Sequence, residues 1–165
     1  MGFQLSVWLH IIAACVWVGG MVFLAVVIVP ITRGLEDRAL ATRLLHQVGR
    51  RFRNVGWVTI GVLVVTGLSN LHYRGVGLEQ LTDGEFWAGG YGRPLGYKLG
   101  LVVFILSLSL VHDFHIGPRA VEVMRDAPGS PQALRMRRLA SYFGRVNLLA
   151  ALAVIGFAVA LVRGW

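Results

Sequence analysis

Residues 5–29 read LSVWLHIIAACVWVGGMVFLAVVIV, an apolar run that contains one basic side chain, His10, and ends at Pro30. A bilayer is crossed by about 20 apolar residues in a helix, so this stretch predicts a membrane-spanning helix. No basic residue precedes it, and it is longer than the short core of a signal peptide. We therefore read it as a retained span, despite Ala13-Ala14-Cys15 faintly resembling a lipoprotein cleavage site. Three further runs have the same character, at about 55–71, 96–111 and 146–162. The expected fold is an all-α integral membrane protein: a single four-transmembrane-helix bundle over residues 1–165, in the plasma (cell inner) membrane.

Composition agrees. The chain is 56% hydrophobic with a mean hydropathy of +0.66, too apolar for an ordinary soluble domain of 165 residues. The net charge of +8 does not point to nucleic acid, because the arginines sit in short connections between apolar runs. The connection after the first span and the one before the fourth hold six arginines each. The positive-inside rule places both in the cytoplasm and both termini outside. The second span is expected to begin as an amphipathic stretch near Leu35. The fourth is expected to begin near Pro131, where Ser130-Pro131 reads as an N-cap and a first-turn proline. No internal repeat emerges from the sequence.

An ionisable side chain inside a span is a functional-site candidate by default. His10, His72 and Lys98, the last being the only lysine, fall at similar depth, about 27–30 Å above the cytoplasmic ends of their spans at helical rise. All three are expected near the outer face. Bundle sites form between facing helices, and histidines are common axial ligands of haem iron. This layer is therefore read as a b-type haem site, with His10 and His72 on the iron and Lys98 as charged partner or catalytic group. Small residues on the histidine stripes, such as Ala13 and Gly61, leave room for a flat ring and also serve plain helix packing. At the other end, His112-Asp113-Phe114-His115 closes the third span. His112 and His115 are read as a possible second haem or metal site.

Three motifs extend the reading. The first span has the form histidine, about six residues, Trp17-x-Gly19-Gly20, then an aromatic. The third runs RPLGYKLGLVVFILSLSLVH over residues 93–112, and the second contains RRFRNVGWVTIGVLVVTGLSNL over 50–71. In this order they resemble the copper resistance D (CopD) family and the related HemJ-type protoporphyrinogen oxidases. The HemJ resemblance implies haem b, with His10 and Lys98 as the functional pair; the CopD resemblance implies copper handling. The HemJ-type basic residue just after the first span is not found in its usual aromatic setting, nor is the Met-Glu-Arg-type run before the second, which counts against porphyrinogen oxidation.

The function expected on these grounds is haem-dependent electron transfer or oxidation near the outer face, with a redox partner or a quinone- or porphyrin-like molecule as partner. Copper binding or transport is the alternative, although soft donors for Cu(I) are scarce: the spans supply Cys15 and Met21. A subunit role in a larger membrane complex is the third reading. Lipid is an expected contact, and a homo-oligomer is possible.

Overall fold

The computed structural model describes residues 1–127 and 129–163, with the side chain of Arg38 outside the description. All regular structure among the described residues is helical. The first span is α1 (Gly2–Phe23), a π-helical turn π1 (Leu24–Ile28) and α2 (Val29–Gly34). After a short turn, α3 runs unbroken over Arg38–Tyr73, capped by Asp37, whose carboxylate accepts from the backbone N–H groups of Ala39 and Leu40. Two short helices, α4 (Leu78–Thr82) and α5 (Gly84–Ala88), follow. The third span is α6 (Gly92–Val111), a second π turn π2 (His112–Ile116) and α7 (Gly117–Asp126). The fourth is α8 (Pro131–Arg163). Four continuous helical stretches are thus long and apolar enough to cross a membrane, as expected.

Two boundaries differ from expectation for a physical reason. Pro30 does not close the first helix, and the third continues past Pro118. A helical proline lacks an N–H, and its ring crowds the carbonyl four residues back. Here the helix widens ahead of each proline. Val29 donates its N–H to the Leu24 carbonyl and Gly117 to that of His112, each five residues back. The widened turn accommodates the ring, and the helix goes on. The predicted start of the fourth span holds: the Ser130 hydroxyl accepts from the Ala133 N–H at 3.1 Å. The amphipathic approach to the second span is likewise helical, as the first turns of α3.

The chain divides into two compact units, Met1–Gly92 and one starting at Arg93. Each has the same internal plan. A helix enters, widens into a five-residue π turn, passes a proline and ends; a short turn then leads into one long N-capped helix. His10 and Lys98 each precede their proline by 20 residues. The likeness is one of element order and proline position, not of sequence.

Within the first unit, α1 packs antiparallel on α3. The contacts run along the pair: Phe3 stacks edge-on against Tyr73 at 5.7 Å, His10 meets Thr66, Trp17 lies beside Gly56, and Gly20 faces Phe52. Lipid tails are as apolar as leucine, so association in a bilayer rests on close packing. Gly20 shows this, because a Cβ there would run into the Phe52 ring, whereas one on Gly19 would meet nothing within 4 Å. Gly20→Leu is expected to cost about 1–3 kcal/mol by overpacking, read as a lower Tm by circular dichroism. Gly19→Leu should leave Tm unchanged or raised. Equal effects at the two positions would refute this packing.

Candidate functional site

A short polar track crosses the α1–α3 contact. Ser6 and Thr66 are both buried, at 9% and 6% exposure, although each lies inside an apolar span. The Ser6 hydroxyl donates to the Thr66 carbonyl at 3.3 Å. The His10 Nδ1 lies 2.8 Å from the Thr66 Oγ1. That hydroxyl spends its own proton on the Val62 carbonyl, one turn back, at 2.6 Å. Thr66 Oγ1 is therefore the acceptor, and the proton of this bond belongs to His10 Nδ1. The neutral imidazole then carries its lone pair on Nε2. Thr66 both aims the ring and fixes its tautomer, the role that hydrogen-bond acceptors play behind metal-binding histidines.

Gly67 completes the seat. A Cβ there would lie 3.5 Å from His10 Cε1, in ordinary contact, so the ring edge bearing both nitrogens faces the α3 backbone. Gly67→Ala should be tolerated. Gly67→Phe should push the ring off Thr66, visible as a shift of the His10 Cε1 proton resonance; an unchanged resonance would contradict the assigned seat.

The other candidates are placed differently. His72 is exposed near the end of α3, with Tyr73 as its ring neighbour at 6.2 Å. It lies six residues beyond Thr66, so on a 3.6-residue turn it leaves the stripe that meets α1. Depth matched His72 to His10, but facing does not. In the second unit Lys98 is half-buried on α6. His112 Nδ1 pairs with Asp113 Oδ1 at 2.9 Å inside π2, while His115 is exposed. A widened turn separates residues three apart more than a regular one does, so the pairing of His112 with His115 expected from α-helical spacing is weakened. Nearby, Asn147 of α8 donates to Ser109 of α6 at 3.4 Å. Among the described residues no three His, Cys, Asp or Glu side chains gather as a metal cluster. Cys15 is exposed and Met21 buried.

Thr66 was not singled out by the sequence. A threonine in an apolar span reads as filler, and only its alignment opposite His10 across the helix pair reveals its role.

Four apolar spans, with a histidine held by a threonine inside the first helix pair, define a multi-pass membrane protein with an intramembrane polar site. Residues 46–161 match the family model of copper resistance protein D, and the chain belongs to that CopD family. A protein of Aquifex aeolicus (strain VF5), described as uncharacterized, is 29% identical over 164 residues, 98% of this chain and 96% of that one. The copper transport protein CutJ of Bacillus subtilis (strain 168) is 32% identical over 104 residues, 63% of this chain and 17% of CutJ. No solved structure matches significantly. These relationships favour the copper alternative over the haem reading, for which they offer no support.

Proposed function

We propose that this protein binds copper within the membrane and passes it across, with His10 Nε2 as the ligand that receives the ion. The observation that carries this reading is the Thr66 hydrogen bond. It commits His10 Nδ1 as donor and directs the metal-binding lone pair to Nε2. The CopD membership and the kinship with CutJ support copper as the ion. In this reading the arginine-rich connections face the cytoplasm by the positive-inside rule, and the N-terminal half of α1, with His10, faces the outside. Copper would then meet His10 on entering from that side.

Haem is set aside because the family match and the kinship with CutJ point to copper and neither supports haem. Lys98 loses with it the role of propionate partner. A lysine amine offers a lone pair only when deprotonated, and Lys98 is not assigned as a copper ligand.

The test is metal analysis of the protein purified in mild detergent, followed by copper uptake into proteoliposomes. Stoichiometric copper without haem absorbance, together with uptake above protein-free vesicles, is the expected result. A haem Soret band in a copper-free preparation would overturn the proposal.

A further inference from the structure

The α3 stripe that meets α1 carries one more polar residue. Thr66 and Gly67 contact His10, and Tyr73 contacts Gly2 and Phe3. Asn70 lies between these levels, one helical turn from Thr66 and one from Tyr73, so it shares their face. The facing position on α1 is held by buried Ser6, whose proton is already given to the Thr66 carbonyl. The Asn70 Oδ1 is buried and has no hydrogen-bond partner. A buried amide oxygen without a partner loses its hydration and regains nothing. Such an atom in a membrane span, one turn from the threonine that aims His10, calls for a partner, and a bound ion is one that would supply it.

We propose that Asn70 Oδ1 is an oxygen ligand to the ion received by His10, and that the ion is taken there as Cu(II) rather than Cu(I). This rests on the copper reading of His10 and extends it to a second ligand and an oxidation state. The donors at this level are an imidazole nitrogen and neutral oxygens from Asn70, Ser6 and Thr66. Nitrogen and oxygen suit Cu(II), whereas Cu(I) prefers thiolate and thioether. The soft donors of the first span are elsewhere. Cys15 is exposed, half a helix turn off the His10 stripe, and Met21 lies three turns further along α1. No carboxylate or thiolate joins the set, so the ion keeps its full charge and is held weakly. Weak holding suits an ion in passage.

The experiment uses the purified full chain titrated with Cu(II), followed by electron paramagnetic resonance, and with Cu(I) under anaerobic chelator competition. Asn70→Leu keeps the shape and removes the orphaned oxygen. It is expected to weaken Cu(II) binding about tenfold, to leave Cu(I) binding unchanged, and to raise Tm, because the unsatisfied group is gone. A loss of copper with a fall in Tm would mark Asn70 as structural and overturn the inference. Asn70→Asp, which retains an oxygen and adds charge, should tighten Cu(II) binding; it carries the test if the leucine variant does not fold. Wild-type Cu(II) affinity in Asn70→Leu, with binding lost in His10→Ala, would refute Asn70 alone. Wild-type affinity in His10→Ala would instead remove the copper reading beneath it.

Discussion

His10→Ala is expected to yield protein that is folded and helical but carries no stoichiometric copper. The fold should survive because the helix pair is also held at other points. His10 is half-buried, and its hydrogen bond to Thr66 contributes about 1 kcal/mol. Its removal strands no donor, since the Thr66 hydroxyl keeps its bond to the Val62 carbonyl. The α1–α3 pair retains the Phe3–Tyr73 and Gly20–Phe52 contacts on either side. Copper binding should fail because the level of His10 offers no other nitrogen ligand on the facing stripe. Metal analysis alongside circular dichroism decides the matter. Full copper occupancy in the variant would place the site elsewhere, with His112 beside Asp113 the next candidate.

Thr66→Val is expected to weaken copper binding by roughly 10- to 100-fold, the usual cost of losing the group behind a metal-bound histidine. Valine keeps the shape and removes the acceptor. The imidazole is then free to rotate and to place its proton on either nitrogen, and the copper-competent tautomer is no longer selected. Thr66→Ser should restore most of the affinity, because its hydroxyl can back-bond to the Val62 carbonyl and accept from Nδ1 in the same way. A merely structural role for Thr66 would not separate serine from valine in copper titrations while Tm stayed level. Equal affinities for the two variants would remove the positioning role.

The spans were legible because the bilayer demands long apolar helices, and residues 5–29 leave no other reading. The ends were less so: Pro30 reads as a stop by local rules, and only the backbone reveals the π turn that lets the helix continue. His10 stood out through its chemistry and through the Trp-x-Gly-Gly sequence that follows it. Its companions did not. Depth along a span is readable from a count of residues, but facing depends on how two helices pair. Depth therefore matched His10 with His72, whereas pairing matches it with Thr66. Asn70 was passed over for the same reason, since nothing in sequence marks an amide as unsatisfied. The haem reading draws on that depth match and on the scarcity of sulfur in the spans. The scarcity is real, and it bears on the oxidation state of the ion rather than against copper itself.

The shared plan of the two units has one more implication. In each unit the residue 20 positions ahead of the proline is ionisable, but one is His10 and the other Lys98. A neutral imidazole offers an electron pair, whereas a lysine in its protonated form offers only charge. One helical plan thus carries two different chemistries at matched positions.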